Sequence, residues 1–355
     1  MKVLIVDDSV VYRSAIKSAL TGSGQDYEID IAANGKIAID KLKMKEYDIV
    51  TLDLEMPVMD GLETIKAIRE FNNKVPVIIF SAQNVNAANK TLHALEIGAN
   101  DFVKKIEGGS NLDENIKMIQ QELLPRFKAL AGRIKGATGV NVKEPVVEKI
   151  ISTPVREKNF LQVCDFYPSI LCIASSTGGP DVLKKIFSDL EKLPIPVLIV
   201  QHMPPVFTTQ LAKGLDQISK MTVKEAAVGD IIEPGVAYLA PGDFHMVIEK
   251  KNDKYQINLN QDPKVCYVRP AADVTFQSVA ENFTGKVLGV VLTGMGNDGA
   301  NGSGMLKNKD CRILIQDEDS SVVWGMPKAV YEKGFYDIRL TPSDIVKAIN
   351  RMTLR

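Results

Sequence analysis

Ile170-Leu171-Cys172-Ile173-Ala174-Ser175-Ser176-Thr177-Gly178-Gly179-Pro180 is an apolar run that stops at two serines and a glycine pair, then restarts with helix-forming residues. The pattern predicts strand, sharp turn and helix, the unit from which parallel α/β sheets are built. A serine on such a turn is held at the sheet's carboxyl edge, where the first free N–H groups of the next helix stabilise negative charge. Ser176 is therefore a candidate nucleophile. The same loop also reads as a phosphate cradle in which the hydroxyl is a mere donor, although it lacks both GxGxxG and the Walker lysine pattern.

The chain around this stretch has 355 residues, too many for one ordinary core, so two domains are expected. Lysine plus arginine number 43 and aspartate plus glutamate 44, a net charge of −1 that leaves no basic excess for nucleic acid. Cys164, Cys172, Cys266 and Cys311 show no CxxC spacing, which argues against a zinc site or a disulfide framework and fits a reducing cytoplasm. The short apolar run at the N-terminus ends in Asp7-Asp8 and reads as a buried strand, not a signal peptide. No apolar segment approaches the ~20 residues that span a bilayer, so no direct membrane insertion is expected.

From residue 1 to 124 short β-rich runs alternate with helical stretches: Val3 to Val6, Ile29 to Ala32, Ile49 to Leu52, Val75 to Phe80 and Asp101 to Val103. This predicts a doubly wound parallel sheet whose ligands bind at the strands' carboxyl ends. The acids fall there: Asp7 and Asp8 after the first run and Asp53 after the third, with Ser81 after the fourth and Lys104-Lys105 after the fifth. Three carboxylates at one edge repel one another unless a cation intervenes, and hard oxygen ligands suit Mg²⁺. A carboxylate beside Mg²⁺ can also attack a phosphoryl group.

These residues resemble the receiver domain of two-component response regulators, a flavodoxin-like fold. The resemblance implies that Asp53 is phosphorylated from a chemotaxis histidine kinase, that Asp7, Asp8 and Asp53 organise Mg²⁺, and that Ser81 and Lys105 are the switch hydroxyl and the phosphate-contacting lysine. Ile106 stands where the family usually has proline, so a cis bond is not expected there. Residues 125 to 164, with Pro125, scattered glycines and Lys143-Glu144-Pro145, read as a linker with a first helical turn or two.

A second alternating series fills residues 165 to 355, with runs at Ile170 to Ala174, Pro196 to Gln201, Met221 to Lys224, Val287 to Thr293 and Arg312 to Ile315. Val236 to Leu259 breaks the rhythm and predicts an antiparallel addition to a mainly parallel α/β sheet. A serine that attacks a carbonyl needs a base, and the chain has three histidines. His93 lies in a receiver helix, His245 follows a Pro-Gly turn, and His202 ends the run Val197-Leu198-Ile199-Val200-Gln201 at the same edge as Ser176. Asp298, in the turn after Val290-Val291-Leu292-Thr293, is the candidate third member, where turn chemistry or a helix cap is the competing explanation. Backbone N–H groups near Thr177 and Met295 are candidate oxyanion donors.

Ser175-Ser176-Thr177-Gly178-Gly179, Gln201-His202-Met203-Pro204-Pro205, Ala240-Pro241-Gly242-Asp243 and Leu292 to Gly299 closely resemble the effector domain of the chemotaxis protein-glutamate methylesterase (CheB) family. The resemblance implies hydrolysis of γ-glutamyl methyl esters on methyl-accepting chemoreceptors, with deamidation of receptor glutamines, and no cofactor for the ester chemistry. By motif position it makes Ser176 the nucleophile, His202 the base and Asp298 the orienting acid, with Met295 in the oxyanion region and Arg269 near the substrate. Ser175 stands where the family commonly has alanine and offers a competing hydroxyl. The unphosphorylated receiver is expected to restrain the second domain and phosphorylation to release it.

Overall fold

The computed structural model describes residues 1–105, 112–136 and 159–354. The chain divides into two compact units, Met1–Val146 and Val147–Arg355. The first unit runs β1 (Lys2–Val6), α1 (Val10–Thr21), β2 (Glu28–Ala32), α2 (Gly35–Met44), β3 (Ile49–Asp53), α3 (Gly61–Phe71), β4 (Val77–Ser81), α4 (Val85–Glu96), β5 (Asp101–Lys104) and α5 (Leu112–Gly136). Its five strands are all parallel, in the order β2-β1-β3-β4-β5. Every residue of β3 and β4 is buried, as befits central strands covered by helices on both faces. Polar caps fix where the helices begin: Ser9, Asn34 and Asn84 each accept a first-turn N–H, and Asp60 forms a reciprocal capping box with Glu63.

The helix α5 runs past residue 124, where the linker was expected to begin. Pro125 sits inside it, and the helix continues to Gly136. Proline removes one backbone hydrogen bond, but Leu123, Phe127, Leu130 and Ala131 are all buried, and Arg126 pairs with both Asp101 and Glu122. Burial of that face outweighs the local defect. The far end of the expected linker is helical too, as the short α6 (Phe160–Cys164). Residues 137–158 and Ile106 lie outside the described residues.

The second unit continues with β6 (Ile170–Ser175), α7 (Gly179–Asp189), β7 (Val197–Gln201), α8 (Phe207–Ile218), β8 (Thr222–Glu225), β9 (Val236–Leu239), β10 (His245–Lys251), β11 (Lys254–Asn260), α9 (Ala272–Asn282), β12 (Val287–Val291), α10 (Ala300–Lys307), β13 (Arg312–Gln316), α11 (Met326–Glu332), β14 (Ile338–Leu340) and α12 (Pro342–Thr353). Seven strands form one parallel sheet in the order β14-β13-β12-β6-β7-β9-β8. The antiparallel addition is a separate hairpin, β10 with β11, whose Met246, Ile248 and Ile257 join the same apolar core as Phe276 of α9. Neither β14 nor the inclusion of β9 in the parallel sheet was evident from the sequence, because runs of three or four residues show too little alternation to classify. Among the described residues, no helix is long and apolar enough to cross a membrane.

Candidate active site and phospho-acceptor site

In the effector unit β6 lies between β12 and β7, so the tip carrying Ser176 is flanked by the tips leading to Asp298 and to His202. Ser175 is in register with Gln201, and the His202 N–H donates to the Ser175 carbonyl at 3.1 Å, which sets Ser176 and His202 side by side just beyond the sheet. His202 Nε2 is 2.7 Å from Asp298 Oδ2. Because β7 and β12 lie on opposite sides of β6, this bond bridges over the end of the serine strand. No hydrogen bond joins Ser176 Oγ to the imidazole among the described residues.

Asp298 is 1% exposed, and its carboxylate accepts from three sides. The backbone N–H of Ala272 donates to Oδ2 at 2.6 Å and that of Asp273 to Oδ1 at 2.9 Å, both at the start of α9. Burial alone would raise its pKa, but His202 and these N–H groups outweigh it and hold the carboxyl below its usual range. An ionised carboxylate can only accept, so Nε2 of His202 is the donor in this bond and Nδ1 is the ring nitrogen not engaged by Asp298.

The two adjacent serines have different surroundings. Ser175 is fully buried and donates to Gln201 Oε1 at 2.6 Å, whereas Ser176 is partly exposed at the surface of the turn. Gln201 also donates through Nε2 to the carbonyls of Ser176 and His202, at 3.0 and 3.2 Å. One buried amide thus ties the serine turn to the histidine turn. Gly178, with φ of 77°, lets the chain swing from that turn into α7, in a conformation that costs a side-chain-bearing residue more.

Thr293 and its neighbours form a further support that the sequence did not reveal. The Ser176 N–H donates to the Thr293 carbonyl at 3.0 Å, and Thr293 Oγ1 donates to the Thr177 carbonyl at 2.9 Å and accepts from Val323 N–H at 3.0 Å. Gly294 then bridges to Trp324, which hydrogen-bonds the Gln316 carbonyl. A Cβ on Gly294 would fall 2.8 Å from Ser176 Cβ, so this glycine abuts the serine and Met295 comes next to it in the chain. The only sequence sign of this support was one buried-strand glutamine, Gln316, in an otherwise apolar run.

Two flagged residues lie outside this cluster. Arg269 gives Nε and Nη2 to Asp243 Oδ1 at 3.1 and 2.7 Å and Nη1 to the carbonyls of Gln261 and Asp262. His245 is wholly buried; Nδ1 accepts from Ala271 N–H at 3.2 Å, which leaves Nε2 to donate to the Pro263 carbonyl at 3.2 Å. With both ring nitrogens engaged, it has none left for Ser176.

In the first unit Asp7, Asp8 and Asp53 present carboxylate oxygens within 4.8 Å of one another at the ends of β1 and β3, beside a cleft of about 210 Å³. Lys105 Nζ is 2.6 Å from Asp53 Oδ2 and 3.2 Å from Asp7 Oδ2. Burial lowers the lysine's pKa, but the two acids outweigh it and the net shift is upward. Lys104 is exposed. Ser81 is buried and accepts from Thr91 Oγ1 at 2.7 Å. Asp7 Oδ2 is buried and, despite the nearby ammonium, has no hydrogen bond; burial raises the Asp7 pKa, Lys105 opposes this and Asp53 reinforces it. Three carboxylates that share one edge, with Asp7 Oδ2 buried and met only by the Lys105 ammonium at 3.2 Å, offer the hard oxygen donors that suit Mg²⁺, and Asp7, Asp8 and Asp53 would hold it.

Fold and sites together define the class: a response regulator whose output domain is a hydrolase built on a parallel sheet. The model for the response regulator receiver domain matches residues 3–117 and that for CheB methylesterase matches residues 171–349. A protein-glutamate methylesterase/protein-glutamine glutaminase of Trichodesmium erythraeum is 38% identical over 354 residues, covering 99% of this chain and 98% of that protein. One from Pyrococcus horikoshii is 39% identical over 359 residues, covering 98% and 94%. The crystal structure of the Thermotoga maritima CheB methylesterase catalytic domain superposes with a TM-score of 0.50 at 43% identity, covering 52% of this chain and 98% of that one. The chain belongs to the CheB methylesterase family.

Proposed function

We propose that this chain is a phosphorylation-activated serine hydrolase that removes methyl groups from γ-glutamyl methyl esters of chemoreceptors and deamidates receptor glutamines. The observation that carries the reading is the His202–Asp298 bond spanning the tip from which Ser176 projects. In the proposed cycle Ser176 Oγ attacks the ester carbonyl as its proton passes to His202 Nδ1. Asp298, ionised and held by α9, stabilises the resulting imidazolium. Backbone N–H groups of Thr177 and Met295 receive the oxyanion, a contribution of ~10²–10³ in rate per donor. The proton on His202 then goes to the departing methoxide, which leaves as methanol. Water, deprotonated by the same nitrogen, cleaves the glutamyl-serine ester and regenerates the hydroxyl. With a glutamine side chain the leaving group is ammonia. The serine–histidine contact tightens when substrate occupies the site, as such bonds commonly do.

In the receiver, Asp53 is the proposed acceptor of a phosphoryl group from a chemotaxis histidine kinase. Mg²⁺, when bound, supplies charge neutralisation at the acceptor carboxylate. Lys105 offsets the added negative charge, and Ser81 turns its hydroxyl to the phosphoryl oxygens. A coupling of only ~1–3 kcal/mol to the effector would change activity 5–150-fold. The setting proposed is the cytoplasm, which suits four unpaired cysteines. The test is methanol release from methylated receptor, with and without a small-molecule phosphodonor. Wild type should release methanol faster with the phosphodonor, and Ser176→Ala should release none in either case; equal release by Ser176→Ala and wild type would end the reading.

A further inference from the structure

On the effector surface, Val265 and Val268 exchange backbone hydrogen bonds of 3.2 and 3.0 Å and close a two-residue turn around Cys266 and Tyr267. Both central residues are left-handed, with φ of 52° and 66°, the geometry in which tight hairpins prefer Asn-Gly. A cysteine and a tyrosine hold it at a conformational cost that glycine would avoid. Such strain persists where the surroundings impose it and is concentrated at working parts of proteins.

The surroundings do impose it. Arg269 binds the carbonyls of Gln261 and Asp262, and His245 binds that of Pro263, so the first arm of the loop is pinned from below. The two residues that look like site candidates in sequence and lie outside the catalytic cluster are thus what hold this loop. The turn then sends its two side chains in opposite directions. Cys266 Sγ lies within 4.8 Å of carboxylate oxygens of Asp298 and Asp273, against the catalytic acid, while Tyr267 is 95% exposed. A large aromatic is held out in water one residue from the wall of the active site.

We propose that Tyr267 is a specificity residue that packs against the polypeptide flanking the reacting glutamyl side chain; this rests on the methylesterase reading above. A protein whose side chain reaches Ser176 must bring its backbone and neighbouring residues across the rim beside Asp298. Tyrosine suits that contact because it buries much area, keeps a polar tip and has few rotors to freeze, and a pinned loop lowers the ordering cost further. Its contribution falls on substrate capture and not on the chemical step.

The experiment compares two substrates of the full-length chain: methylated receptor, and the γ-methyl ester of an N-acetylated glutamate amide, which has the ester without the flanking polypeptide. Tyr267→Ala should raise KM for the receptor about tenfold with kcat unchanged, and leave turnover of the small ester untouched. Tyr267→Phe and Tyr267→Trp should recover most of the loss. The double change Cys266→Asn with Tyr267→Gly should raise Tm by relieving the turn yet keep the high KM. The proposal is overturned if Tyr267→Ala leaves the receptor KM unchanged, or if it lowers turnover of both substrates alike, which would make the turn a support for Asp298. Should wild type hydrolyse the small ester but release no methanol from receptor, the methylesterase reading falls first and the proposal with it.

Discussion

Gly294 leaves no room for a side chain beside Ser176: a Cβ there would lie 2.8 Å from the serine's Cβ and 2.3 Å from Met326 Sδ. The Met326 side chain can turn aside, but alanine at 294 must still push Ser176 from its place. Overpacking of this kind costs about 1–3 kcal/mol. Gly294→Ala should lower Tm and cut kcat on a small ester at least tenfold while the chain stays folded, as read by circular dichroism. Activity equal to wild type would show that the serine turn is not held by this contact.

The two serines should separate cleanly by mutation. Ser176→Ala is expected to lose on the order of 10⁴-fold or more in kcat, as removal of a nucleophile does. Ser175→Ala gives up the bond to Gln201 and leaves a buried amide oxygen unpaired, a stability loss of about 1–3 kcal/mol, but should stay within severalfold of wild-type turnover. Steady-state rates together with thermal melts of both variants decide between them.

Asp298→Asn should lower kcat about 10³–10⁴-fold with little change in KM, because an amide no longer fixes the imidazole tautomer or balances its charge. A pH titration of stability bears on the same carboxylate. Its folded pKa lies below the unfolded value of about 3.9, so its contribution is present above that pH and is lost as pH falls through the folded value.

Asp273 should behave in the opposite sense. Burial raises its pKa, the Gly302 N–H works against this, and the charge of Asp298 adds to it. A carboxyl raised in the folded state stabilises fully below about pH 3.9, and that contribution is lost as pH rises through the folded value. Asp273→Asn is neutral throughout and can still accept from Gly302 N–H, which is bonded to Oδ1 at 2.7 Å. Its Tm should exceed that of wild type at pH 7, with the gap narrowing toward pH 4 in calorimetric scans. A gap of constant size would mean the charge is not what the substitution relieves.

Lys105→Ala removes the only ammonium that the described residues place against both Asp7 and Asp53. In chelator its melting temperature should fall by roughly 5 °C, and millimolar MgCl₂ should restore more of this loss than it adds to wild type. The same variant should lose its response to phosphodonor. A Tm deficit that Mg²⁺ does not touch would argue against the acids as the cation's ligands.

The candidate residues at the ends of buried strands could be picked out from sequence, because an apolar run ending in a polar residue marks the sheet's edge: Asp53 and Ser81 close β3 and β4, and Asp7, Ser176 and His202 directly follow β1, β6 and β7. Asp298 was harder, since it stands seven residues beyond β12 and looks like turn chemistry until the N–H groups of Ala272 and Asp273 are seen to hold it. What sequence could not yield were contacts between distant segments. Nothing local in Gln201 announces that it clamps two turns, and nothing in Val323-Trp324-Gly325 announces that it braces Gly294. Pro125 shows the converse: a local helix-breaking rule is overridden by burial of Phe127 and Leu130.

The placement of β6 between β12 and β7 sets the Ser176 hydroxyl at the end of an interior strand, whereas the Cys266–Tyr267 turn belongs to a loop outside the sheet. With Tyr267 in the proposed role, substitutions in that loop would retune which substrates are preferred while the residues at the strand tips stay as they are. Preference and chemistry would then be separately adjustable, one from a loop and the other from the sheet.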